Sequence, residues 1–180
     1  MEIEVSGLAR FSERGDKMKK VLMVDIHACN GCRICEVICS FEKETASSPT
    51  KSRIRILRVD EAGMDVPGVC QHCESPPCRD VCPMDAITED QKTGAVILNP
   101  NRCIGCRACT FVCPYGVISL DVDRKVMIKC DLCGGEPQCA RYCPKGALVY
   151  ERAEVIDTLR RERDLKVFIG PLLKSRGSLS

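Results

Sequence analysis

The run Cys103-Ile-Gly-Cys106-Arg-Ala-Cys109-Thr-Phe-Val-Cys113-Pro114 carries the densest chemistry in the chain. Three cysteines two residues apart, a fourth three residues on and then proline form the ligand run of a [4Fe–4S] cluster. The tight loop of the first three wraps one corner of an iron–sulfur cube, and Gly105 is expected to bring the backbone close to the sulfides. Cys113, one helical turn past Cys109, points away from that cube and serves a neighbouring cluster. Such a run requires a partner motif, and the chain holds three more.

The first is Cys29, Cys32, Cys35 and Cys39, with Gly31 and Arg33 standing where Gly105 and Arg107 stand, so the two runs read as copies of one unit. Ser40 replaces the proline after the fourth cysteine, which lets a helix continue through Phe41-Glu-Lys-Glu44. The second is Cys70, Cys73, Cys78 and Cys82, its middle widened and stiffened by Pro76-Pro77. The last is Cys130, Cys133, Cys139 and Cys143. In a two-cluster arrangement the first three cysteines of one motif take the fourth of its partner. The second and third motifs are adjacent and share a hairpin, so they pair: Cys70, Cys73 and Cys78 with Cys113, and Cys103, Cys106 and Cys109 with Cys82. The first and fourth then pair across them: Cys29, Cys32 and Cys35 with Cys143, and Cys130, Cys133 and Cys139 with Cys39. Iron is thus expected on all sixteen cysteines, as four [4Fe–4S] clusters.

Other readings of so much cysteine fit less well. Structural zinc uses two Cys-x-x-Cys pairs per site and has no use for a third cysteine two residues on. Disulfide frameworks belong to exported chains, and residues 1–19 are charged, without the apolar stretch of a secretion signal. A cytoplasmic, reduced protein is expected, with no transmembrane segment, because no apolar run approaches eighteen residues. Nucleic acid is not indicated: the formal charge is +2 and falls further once thiolates form, and there is no Trp, with three Tyr and four Phe for stacking. The cysteine count being complete, His72 and His27 read as packing or hydrogen-bonding groups; His72, inside the second motif, is placed to donate to a sulfur. Arg33, Arg79 and Arg107 either offset cluster charge or form a solvated face.

The elements that must position these ligands are short. Strand patterns lie at Lys20–Asp25, Arg53–Val59 and Ala147–Tyr150. Two hairpins are expected, one from Ala86–Glu89 to Gly94–Leu98 and one from Val117–Val122 to Lys125–Lys129. Asp60–Gly68 reads as a loop; 152–166 has helical spacing in Val155, Ile156 and Leu159, and 167–173 reads as a broken apolar segment. The fold class is therefore α+β: two interleaved ferredoxin-like units in pseudo-repeat, with small hairpins, short helices and a C-terminal helix. The expected division is an N-terminal arm (1–19), an outer half (20–69 and 114–150), an inserted half (70–113), and a C-terminal helix and tail (151–180).

Cys29-Asn-Gly-Cys32-Arg-Ile-Cys35-Glu-Val-Ile-Cys39, the Cys70–Cys78 run with Cys82-Pro-Met-Asp-Ala-Ile87, the run from Cys103, and Lys129-Cys-Asp-Leu-Cys133 resemble a known family over roughly residues 20–150. It is the four-cluster, ferredoxin-like electron-transfer subunits of molybdenum and tungsten oxidoreductases and of some hydrogenase and formate dehydrogenase complexes. The short gap between Cys133 and Cys139 and the lack of a membrane-anchoring extension resemble the compact subunits that accompany tungsten aldehyde oxidoreductase-type enzymes, benzoyl-CoA reductases included. The resemblance implies an electron wire, with no catalysis of its own. Its partner would be a larger catalytic subunit with a tungsten or molybdenum pterin, and a flavin subunit or soluble ferredoxin would stand at the other end. The chain offers no nucleotide loop and no flavin or pterin motif of its own. A free-standing polyferredoxin and a hydrogenase or formate dehydrogenase subunit are the alternative readings.

Overall fold

The computed structural model describes residues 20–45 and 47–176; the expected arm at 1–19 and the last four residues lie outside the described residues. The elements are small, as the dense cysteine runs dictate. Eight strands form four separate two-stranded antiparallel sheets. β1 (Lys20–Val24) pairs with β8 (Leu148–Arg152), joining the two ends of the cysteine-bearing region. β2 (Arg55–Val59) pairs with β3 (Met64–Gly68), β4 (Ile87–Glu89) with β5 (Val96–Leu98), and β6 (Ser119–Asp121) with β7 (Val126–Ile128).

Four helices follow cysteine loops: α1 (Ile34–Glu44), α2 (Pro77–Asp80), α3 (Ala108–Val112) and α4 (Gln138–Arg141). α3 stops at Cys113, before Pro114, whereas α1 runs on past Cys39 and Ser40. Ser40 is fully buried; its hydroxyl donates to the Val37 carbonyl (2.9 Å) and accepts from the Ser48 N–H (3.2 Å). α1 packs on α4 and α2 packs on α3. α5 (Ala153–Arg176) lies along β1 and β8, with Ile156 buried and Arg163 reaching Asp25 at 3.5 Å. It continues through 167–173, the segment expected to be broken; the proline at 171, lacking an N–H, costs one hydrogen bond within a long helix.

The stretch expected as a loop at Asp60–Gly68 contains β3, with Pro67 inside it. Pro67 stands opposite Ile56, whose N–H faces away from β3 and donates to Glu36 Oε1 at 2.8 Å. At such a position in the ladder the missing proline N–H would have faced outward, so the pairing loses nothing. Glu36, 4% exposed, thereby ties α1 to this hairpin.

A second charged tie links the hairpins. Asp121, whose side chain is fully buried, accepts from Lys51 Nζ (2.5 Å) and Arg124 Nε (2.6 Å). Arg124 also reaches Glu44 at the end of α1, as does Arg53. Burial alone would raise the Asp121 carboxyl, but Lys51 and Arg124 outweigh it and hold it well below the ordinary carboxylate range.

A carboxyl depressed in the folded state stabilises the protein above its unfolded pKa, and that contribution fades as pH falls through the folded value. Asp121→Asn is therefore expected to melt a few degrees below the parent. The difference should be constant from pH 8 to about 5 and shrink only below about 4, as thermal unfolding followed by circular dichroism across pH would show.

Candidate metal centres

Each cysteine loop has a backbone that few residues tolerate. In the first and third motifs Gly31 and Gly105 have φ of +68° and +69°, and Arg33 and Arg107 follow, also left-handed, as the N-caps of α1 and α3. Gly105 has a reason beyond its φ. A Cβ there would collide with the Lys125 carbonyl oxygen at the β6–β7 turn, so the glycine is needed against the protein as well as for the loop's bend. In the second motif His72 (φ 46°) takes the strained place, and in the fourth Leu132 and Cys133 do (φ 54° and 50°).

These loops and the helices after them bring the sixteen thiols to four cavities. Site 1, about 320 Å³ of empty space, is lined by Cys29, Cys32, Cys35 and Cys143. Site 2, about 340 Å³, is lined by Cys70, Cys73, Cys78 and Cys113. Site 3, about 310 Å³, is lined by Cys82, Cys103, Cys106 and Cys109. Site 4, about 380 Å³, is lined by Cys39, Cys130, Cys133 and Cys139. The helices explain the crossed membership. α1 carries Cys35 into site 1 and Cys39, one turn on, into site 4, while α4 carries Cys139 into site 4 and delivers Cys143 to site 1. α2 and α3 exchange Cys82 and Cys113 between sites 2 and 3 in the same way.

The donor chemistry suits iron–sulfur cubes. Every cavity offers four free cysteines. The rest of the linings are mostly apolar: Ile87, Leu98 and Met127 in site 3, and Leu22, Ile54 and Val69 in site 4. Backbone N–H groups already point at sulfurs: Arg53 to Cys39 (3.3 Å), Ala86 to Cys82 (3.3 Å), Met127 to Cys103 (3.4 Å) and Leu132 to Cys130 (3.4 Å). Such donors favour negative charge on sulfur. Without that charge the sites hold protons firmly: burial pushes the Cys35 and Cys130 thiols up to about 12 and Cys109 up to about 11. Among the described residues no group of three or more His, Cys, Asp or Glu side chains is disposed around a single metal ion.

His72 is buried in the lining of site 2, its Nδ1 accepting the Val96 N–H at 3.0 Å, so that the proton of the neutral ring sits on Nε2. His27 is exposed and lines none of these cavities. Arg79 pairs with Asp80 at the surface, Arg107 is exposed, and Arg33 borders site 1 with its side chain 59% exposed. Besides the exposed Lys145 at site 1, two less exposed lysines carry charge into the linings: Lys43 at site 4, paired with Asp131 at 2.7 Å, and Lys129 at site 2. Spacing alone assigns neither a role; the one hint in the sequence is that Lys129 directly precedes Cys130.

Residues 63–153 match the family described as 4Fe-4S dicluster domain, which takes in the last three motifs. The chain belongs to that family. It is 41% identical over 122 residues to the polyferredoxin-like subunit of aliphatic sulfonate oxidoreductase from Pyrococcus furiosus, covering 68% of this chain and 70% of that protein. It is 32% identical over 161 residues to a sulfite dehydrogenase subunit from Allochromatium vinosum, covering 72% of this chain and 67% of that protein. Among solved structures, the active site complex BamBC of benzoyl coenzyme A reductase with 1,5-dienoyl-CoA is similar at 29% identity and a TM-score of 0.42, over 73% of this chain and 74% of that one. The dicluster family carries [4Fe–4S] clusters, and the two sequence relatives are subunits of oxidoreductases; this chain is an iron–sulfur electron-transfer subunit of that kind.

Gly105→Ala should leave the chain short of about one cluster, near four irons, because site 3 loses the loop shape that its first three cysteines need. Iron and acid-labile sulfide counted per chain after anaerobic purification check this; a full complement would contradict it.

Proposed function

We propose that this chain is a four-cluster electron wire serving a larger catalytic oxidoreductase subunit. The observation that carries the reading is the set of four cysteine-lined cavities, each with four thiols. Under this reading the sixteen cysteines hold four [4Fe–4S] clusters, one at each site. Such clusters supply one-electron carriage without an open coordination position for substrate.

Their order follows from shared elements. Sites 1 and 4 are bridged by α1 and α4, and sites 2 and 3 by α2 and α3. Sites 4 and 2 adjoin where Val69 lines one and Cys70 the other. The path is therefore 1–4–2–3, and its ends reach the surface. Cys32 at site 1 and Cys106 at site 3 are the exposed cysteines. Exposed apolar residues flank both ends: Ile34 next to the site 1 cysteine Cys35 (39%), and Ile104 in the lining of site 3 (62%). Exposed apolar groups at the two ends of a wire suit docking of one redox partner at each.

The same cross-links support the division into an outer half with motifs 1 and 4 (20–69 and 114–150) and an inserted half with motifs 2 and 3 (70–113), related as a pseudo-repeat, with 151–180 as the C-terminal helix and tail. The partner's class is argued from the relatives, which are subunits of oxidoreductases. A tungsten or molybdenum pterin is the reading for the catalytic subunit, and a flavin subunit or soluble ferredoxin for the other end. Among the described residues no helix is long and apolar enough to cross a membrane. Sixteen free thiols suit a reducing compartment such as the cytoplasm.

The native complex, purified anaerobically through this chain, is expected to contain about sixteen irons per copy, matching sulfide, and tungsten or molybdenum. The chain alone should turn over no organic substrate. Sixteen irons with no second subunit would favour a free polyferredoxin, nickel a hydrogenase, and zinc without sulfide would exclude the wire.

A further inference from the structure

Lys129 is 6% exposed, and its side chain lies in the lining of site 2. Its ammonium donates to the Val96 carbonyl and to the Cys130 carbonyl (3.2 Å). Among the described residues no carboxylate pairs with it. Lys43 makes the contrast, because Asp131 neutralises its charge beside site 4. A buried ammonium held by carbonyl dipoles alone is costly unless negative charge stands nearby. The negative charge within reach is that of the cysteine sulfurs.

Position gives this cation its meaning. Lys129 follows β7 and directly precedes Cys130, so it stands where site 2 meets site 4, at the junction of the two bridged pairs. Its anchor is fixed. Val96, 2% exposed, accepts from Lys129 through its carbonyl and donates its N–H to His72, so one residue of β5 holds both the lysine and the histidine of the site 2 lining.

We propose that Lys129 is a positioning charge that favours electron occupancy at sites 2 and 4 over sites 1 and 3. The inference rests on the four-cluster reading above. Adding an electron adds negative charge, and a cation held in an apolar, water-poor lining acts on it with little screening. The two middle stations of the wire would then be easier to reduce than the same ligands alone would make them. That keeps electrons moving across the one step that no shared helix bridges.

The test is a reductive titration of the loaded full-length chain, each centre followed by electron paramagnetic resonance, for the parent and for Lys129→Met, Lys129→Gln and Lys129→Arg. The neutral variants are expected to lower the reduction constant of one or two centres about tenfold, or about 59 mV for one electron, and to leave the others in place. Lys129→Arg should stay near the parent. If the neutral variants lose clusters while Lys129→Arg loads fully, charge at this junction is what the sites require, and the proposal stands. Unchanged potentials in a fully loaded neutral variant, an equal shift of all four centres, or cluster loss in all three variants would overturn it. A parent chain with fewer than four centres would overturn the cluster reading itself, and the role of Lys129 with it.

Discussion

The exchange of one cysteine between neighbouring sites is the constraint on which the rest of the structure depends. A two-stranded hairpin is barely stable alone, and the described residues form four two-stranded sheets with no larger sheet among them to join these. The helices between them are equally small, four or five residues in α2, α3 and α4. What joins these pieces is that α1 and α4 each serve both site 1 and site 4, while α2 and α3 do the same for sites 2 and 3. The buried core includes Cys35, Cys39, Cys78, Cys109 and Cys139 alongside Ile54, Ile87 and Val96, so the ligands themselves are core residues. Four thiol-lined sites inside so small a core imply that loading and folding are one process.

Electrostatics follows from the same burial. An apolar lining makes thiolates costly, and the protein answers with oriented N–H groups at Cys39, Cys82, Cys103 and Cys130. Arginines beside the loops contribute little there, since Arg79 and Arg107 stay at the surface. Charged ties also reach inward: Glu36 to the N–H of Ile56 in the site 1 lining, Lys43 to Asp131 at site 4, and Asp121 to Lys51 and Arg124.

Much of this could be read from cysteine spacing, because ligand runs are local: four residues on one loop and helix fix which thiols face together and which faces away. The hairpins at 86–98 and 117–129 were equally legible from alternation and turn residues. What escaped depends on contacts between distant parts of the chain. β3 was hidden by Pro67, acceptable because it stands opposite Ile56 at a position where a backbone N–H would face away from the partner strand. The reach of α5 through Pro171 was hidden by the helix-breaking reputation of Gly-Pro. Gly105 looked like a residue making room for a ligand, yet the close neighbour is a backbone carbonyl of the β6–β7 turn. Lys129 sits in plain view next to a cysteine, but only tertiary packing shows that it is buried and lacks a carboxylate among the described residues.

The central claim is the crossed ligation that makes four sites from four motifs. Anomalous scattering at the iron edge from anaerobically grown crystals of the loaded protein tests it directly. The account predicts four separate iron peaks, with the peak bound by Cys29, Cys32 and Cys35 completed by Cys143 and the one bound by Cys130, Cys133 and Cys139 completed by Cys39. Cys39 on the same cube as Cys29, or fewer than four peaks in a fully loaded sample, would contradict it.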